Sequence, residues 1–113
     1  MKDKWEAKIR SKLNSMKKRA VKKNIPIEID FTWLKEKLNE GKCEVTGIPF
    51  KESNNNTRNG FSMSVDRIVP KDGYTRDNCQ VVLTLLNLAK GEDTYEDLYI
   101  WAKAFIKKYE TIL

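Results

Sequence analysis

The stretch Ser64-Val65-Asp66-Arg67-Ile68-Val69-Pro70-Lys71-Asp72-Gly73-Tyr74-Thr75-Arg76-Asp77-Asn78-Cys79-Gln80-Val81-Val82, with Leu86-Asn87-Leu88-Ala89-Lys90-Gly91 close behind it, decides the fold. Val65, Ile68 and Val69, then Val81, Val82 and Leu83, are β-branched or apolar runs, and Pro70, Asp72 and Gly73 between them mark a turn. Thr84 can cap a helix that carries Asn87 and stops at Gly91. The reading is strand, loop, strand, helix, with a carboxylate (Asp66) on the first strand and a carboxamide (Asn87) on the helix, the layout of a metal site. Elements this short are not stable alone, so the flanking chain must cover them.

Upstream, Trp5, Ile9, Leu13, Met16 and Ala20 recur at helical spacing, with lysines and arginines over the rest of the surface. Residues 1–24 therefore form a basic amphipathic arm, closed near Asn24. It holds ten Lys or Arg against Asp3 and Glu6, so this arm carries +8 of a net charge of +6 and the remainder is slightly acidic. A solvated helix packed by its apolar stripe and a helix contacting phosphate are both consistent with that, and the second adds salt-dependent affinity without sequence readout. Lys8, Arg10, Lys12, Lys17, Lys18, Arg19, Lys22 and Lys23 are its candidate nucleic-acid contacts, joined by Arg58 and Arg76 further along.

Ile25-Pro26-Ile27-Glu28-Ile29 reads as an extended connector, and Asp30 as the N-cap of a short helix that stops at Gly41, its aromatics serving the core. Cys43 to Phe50 reads as a short strand and turn. Lys51 to Gly60 is a polar, turn-rich loop. Downstream, Thr94 with Asp97 resembles a capping box. From there Leu98, Ala102, Phe105, Tyr109 and Ile112 give residues 94–112 a helical stripe that should pack across the rest and supply much of the core.

The ordered set Asp66-Arg67-Ile68, Gly73-Tyr74, Asp77-Asn78 and Asn87-x-x-Lys90 resembles the HNH endonuclease family, with its ββα-metal (His-Me finger) site, in a variety common among phage-encoded proteins. Lys18-Arg19-Ala20, Ile25-Pro26-Ile27 and Cys43 to Phe50 extend the resemblance over most of the chain. It implies an α+β fold in residues 1–113 as a single nuclease domain: a ββα-metal core at 61–91, two short antiparallel strands and a helix, flanked by the basic N-terminal helix and the amphipathic C-terminal one. It also implies a DNA endonuclease of phage or mobile-element type that uses Mg²⁺ or Mn²⁺, a cation that takes few carboxylates and keeps its waters.

In that reading Asp66 and Asn87 hold the metal, Asn78 ties the loop, and Arg67 and Lys90 handle phosphate. Asp66→Ala would then abolish cleavage and spare the fold. Many relatives carry a zinc knuckle of Cys-x-x-Cys pairs. Here Thr46 stands at the second cysteine and Leu85-Leu86 at a further pair, so no structural zinc is expected and the leucines fill that space.

Position 67 departs from the better-known relatives, which place a histidine after the aspartate to take a proton from water. Arg67 is always protonated and cannot be that base, and the chain has no histidine. The base is then Asp72, Asp77, Tyr74, metal-bound hydroxide, or absent. The last case is a catalytically inactive HNH-like protein that binds nucleic acid, with Asp66 and Arg67 as a buried ion pair; a protein-interaction module is a third reading. With two cysteines and no long apolar run, a reduced, cytoplasmic chain without membrane or small-molecule cofactor is the expectation.

Overall fold

The computed structural model describes residues 2–52 and 59–112, with the backbone alone for residues 2–5 and 112. The expectations placed on the Trp5 side chain, on Arg58 and on most of the polar loop lie outside the described residues. Helix α1 (Lys2–Lys23) comes first, then α2 (Phe31–Glu40), strands β1 (Met63–Arg67) and β2 (Cys79–Leu83), and helices α3 (Thr84–Lys90) and α4 (Tyr95–Ile112). The strands pair antiparallel with Met63 opposite Leu83 and Arg67 opposite Cys79. Two single 3₁₀ turns, Pro70–Asp72 and Arg76–Asn78, shape the loop between them. The fold is small α+β, with the ββα unit at its centre.

The core follows the helical stripe of α1. Ile9, Leu13, Met16 and Ala20 are buried with Trp33 and Leu34 of α2, Tyr74, and Val81 of β2. Burial of each large apolar side chain is worth about 1.5–3 kcal/mol, so this layer holds α1 to one face of the hairpin. A second cluster of Cys43, Val82 and Leu83, with Phe50, Phe61 and Leu86 against it, covers the other face.

The local stops are chemical. Asn24 closes α1 in the left-handed region at φ 54°. Asp30 accepts from the Trp33 amide at 2.9 Å, and Gly41 ends α2 at φ 73°. After α1 the chain runs extended and forms a parallel bridge between Ile27 and Tyr74. The Tyr74 amide donates to the Pro26 carbonyl, and the Glu28 amide to the Tyr74 carbonyl, both at 2.8 Å. This approach explains Gly73: at φ 84° a Cβ there would lie 2.6 Å from Pro26 Cδ.

Three expectations are corrected. Thr84 starts α3 without capping it: its hydroxyl donates to the Ser62 carbonyl, and Leu83 holds the N-cap position. Leu86 does fill the space beside Cys43, but Leu85 is exposed. The third concerns α4, which does not supply the core. Its first turns lean on α3, with Leu98 and Ala102 half-buried, whereas Trp101, Phe105 and Tyr109 remain about half exposed. The reason is competition: α1 and α2 already cover the hairpin face that a long apolar helix would occupy. The radius of gyration, 15.0 Å, accordingly exceeds the ~13 Å of a compact chain of about this length.

Candidate functional site

Strand alternation sends Ser64 and Asp66 to one face of β1, and α3 lies along that face. Asn87 and Lys90, three residues apart, sit on one side of α3. The Asn87 side-chain amide donates to Ser64 Oγ at 2.6 Å and to the Val65 carbonyl at 3.3 Å. One turn on, Lys90 Nζ donates to Asp66 Oδ1 at 3.2 Å and to the Arg67 carbonyl at 3.1 Å. The other Asp66 oxygen accepts from the Tyr95 hydroxyl at 2.6 Å, and that hydroxyl accepts from Gln80 Nε2 at 2.8 Å. Asp66 is 2% exposed and Lys90 1%. Burial, and then hydrogen bonding to Asp66, pushes the Tyr95 phenol up from its ordinary value.

Asp66 is therefore paired with Lys90, not with Arg67 as the ion-pair reading has it. Arg67 turns elsewhere: Nη1 donates to the Pro70 carbonyl at 2.9 Å, and the guanidinium carbon sits 5.2 Å from the Tyr74 ring centroid. Its remaining reach is to Glu92, at 3.4 Å. Asn78 is buried and holds the loop at three points. Its amide donates to the Val69 and Gly73 carbonyls at 2.8 Å each, and its oxygen accepts from the Val69 amide at 2.9 Å.

A groove of about 510 Å³ runs between α1 and the ββα unit. Lys12, Arg19 and Lys23 line it from α1, and Ser64, Arg67, Tyr74, Asn87 and Glu92 from the other side. Lys12 donates to the Met63 carbonyl at 3.0 Å, Arg19 to the Tyr74 hydroxyl at 2.9 Å, and Lys23 pairs with Glu92 at 3.0 Å. Burial, then repulsion from Lys8, holds the Lys12 ammonium below its usual pKa. Four cations thus meet Glu92 alone, because Lys90 already neutralises Asp66.

Of the candidate nucleic-acid contacts among the described residues, Lys12, Arg19 and Lys23 line the groove. Lys8 pairs with Glu52, Arg10 lies over the Phe31 ring, and Arg76 pairs with Asp30. Lys17, Lys18 and Lys22 point outward into solvent. Their spacing puts Lys12, Arg19 and Lys23 on one helical side, which Lys8, four residues before Lys12, shares; its pairing with Glu52 is what sets Lys8 apart. Ser64 and Glu92 line the groove without any signal that would have marked them. Tyr95 lies beyond the motif window altogether.

Among the described residues no three of His, Cys, Asp or Glu converge on a point that could hold a metal ion. Asp66 and Asn87 do stand on adjacent elements. Both Asp66 oxygens, however, are engaged by an ammonium and a phenol, and a hard divalent cation needs such oxygens free. The residues as arranged do not fit a carboxylate-held Mg²⁺ or Mn²⁺. Nor is a thiolate site formed: Cys43 and Cys79 are free and buried, and Cys43 Sγ accepts from the Thr46 amide. No helix among the described residues is long and apolar enough to cross a membrane.

No family model and no curated protein matches the sequence. Among solved structures, the rare-cutting HNH restriction endonuclease PacI is similar, in a study of how that enzyme perturbs DNA. The TM-score is 0.63 at 17% identity, over 92% of this chain and 80% of that one. An identity so low speaks to architecture alone, and in architecture this chain is HNH-like: a ββα core with α1 and α2 before it and α4 after it.

Proposed function

We propose that this protein is a DNA endonuclease that seats the phosphodiester backbone in the groove between α1 and the ββα unit. The observation that carries the reading is the convergence of Lys12, Arg19, Lys23 and Arg67 on one groove that opens over Asn87 and the β1 strand. Such a row of cations neutralises successive phosphates, and a fixed guanidinium stabilises charge that builds on a phosphate oxygen as the bond is cut. Arg67 is suited to this, since the Pro70 carbonyl and the Tyr74 ring fix it and only 12% of its side chain is open to water. The HNH-like architecture supports the same activity by analogy.

Arg67 cannot accept a proton. Of the groups that could, Asp72 and Asp77 are exposed and do not line the groove, whereas the Glu92 carboxylate and Tyr74, its oxygen held by Arg19, do. Glu92, and Tyr74 once its phenol has given up its proton, are accordingly the candidate bases in this reading. One observation favours a second reading, DNA binding without cleavage: the Asp66 carboxylate is closed off by Lys90 and Tyr95.

Plasmid nicking decides between them, run with Mg²⁺, Mn²⁺ or EDTA on the wild type and Arg67→Ala, alongside a gel-shift titration. Nicking that falls in Arg67→Ala, with DNA retained, upholds the endonuclease. DNA retention with no nicking under any condition leaves the binding protein.

A further inference from the structure

Helix α4 leaves Tyr99, Ile100, Trp101, Phe105, Ile106 and Tyr109 half or more exposed. Trp101, Phe105 and Tyr109 recur one helical turn apart and stack, with ring centroids 5.4 and 5.7 Å apart, into one aromatic ridge. An aromatic side chain carries about 150–250 Å², so the open halves of Trp101, Phe105 and Tyr109 amount to roughly 300 Å². The largest apolar patch of a typical monomer is about 300–600 Å². The ridge alone therefore matches the apolar patch of a typical monomer, and two ridges face to face supply about half of the ~1,200 Å² at which stable interfaces begin, the charged flanks of the helices supplying the rest.

The charges on α4 say what covers it. Glu96, Asp97 and Glu110 balance Lys103, Lys107 and Lys108, so this helix has none of the excess positive charge of α1 and gives a polyanion no purchase. The acids Glu96 and Asp97 stand at its start, and Lys107 and Lys108 near its end. Asp97 and Lys108 are about three turns apart on one flank of the ridge. A helix with that order is complementary to itself when two copies run antiparallel: the acidic end of each meets the basic end of the other, with the ridges between them. We propose that α4 pairs antiparallel with α4 of a second copy, making the protein a two-fold symmetric dimer. The dimer carries two grooves in one particle, and this holds whether or not the grooves cleave DNA.

Sedimentation equilibrium of the intact chain over the micromolar range tests this. The wild type should reach twice the 13.2 kDa chain mass. Phe105→Glu, at an exposed position, should keep its helical circular dichroism and weaken association about tenfold or more, the equivalent of about 1.4 kcal/mol. Charge exchange then tests the direction. Glu96→Lys/Asp97→Lys and Lys107→Glu/Lys108→Glu should each dimerise poorly alone and recover in an equimolar mixture. A wild type that stays at the monomer mass overturns the proposal, as does association indifferent to Phe105→Glu. Failure of the mixture to recover overturns the antiparallel arrangement.

Discussion

Lys90 Nζ stands 3.2 Å from Asp66 Oδ1, with both side chains shut away from water, 0% and 2% exposed. An ion pair in that setting is held as much by the cost of separating it as by attraction, since removing one partner strands the other charge. Asp66 cannot be probed as though it were a free ligand.

Asp66→Ala is expected to destabilise the fold by about 3–5 kcal/mol, because Lys90 loses its counter-charge. Urea unfolding measures it, and Asp66→Ala/Lys90→Met should recover a good part of the loss. The expectation that Asp66→Ala abolishes cleavage and spares the fold is corrected accordingly: lost nicking in that variant would report on folding as well as chemistry.

Arg19→Ala and Lys23→Ala should each weaken DNA binding and lower the slope of log affinity against log salt by about 0.7–0.9, one phosphate contact apiece. Lys17→Ala and Lys18→Ala, which point away from the groove, should change the slope far less. Fluorescence anisotropy at several salt concentrations gives the comparison.

Tyr74→Phe keeps the ring in the core and removes the hydroxyl that Arg19 holds. If Tyr74 is the base, the cleavage rate should drop by about 10²–10⁴ while DNA affinity stays near the wild-type value. A rate within a few-fold of wild type would remove Tyr74 from that role.

Burial, with the Asp66 charge behind it, pushes the Cys79 thiol up to about 12 from 9.0. The folded state thus favours the neutral thiol, so the stabilisation is fully present below pH 9 and is lost as pH rises from 9 toward 12. The stability gap between wild type and Cys79→Ala should narrow over that window. Taking the difference cancels the opposite contribution of Lys12, whose lowered pKa is common to both proteins.

What could be read from the sequence was what neighbours in the chain decide. Asp30, Gly41 and Asn24 mark helix ends through groups a few residues away, and the two strands declare themselves by β-branched runs around a turn. The stripe on α4 was equally visible, but periodicity tells which side of a helix is apolar and not what covers it. The same limit applies at the site. Asp66 and Lys90 have the residue types of a ligand and a phosphate contact, and equally those of an ion pair. Only the distance between them tells the two apart, and Tyr95, which completes the pair, sits outside any motif that spacing could flag.

The backbone bonds that lay the segment after α1 over the loop after β1 also fix a dimension. One wall of the groove hangs on the first of these segments and the opposite wall on the second. Because Gly73 lets the two main chains touch and the amides of Tyr74 and Glu28 clip them together, the spacing of the walls at that end is set by peptide geometry, and the side-chain bonds of Lys12, Arg19 and Lys23 carry it along the groove. That end of the groove behaves as a gauge whose setting no single side chain can change.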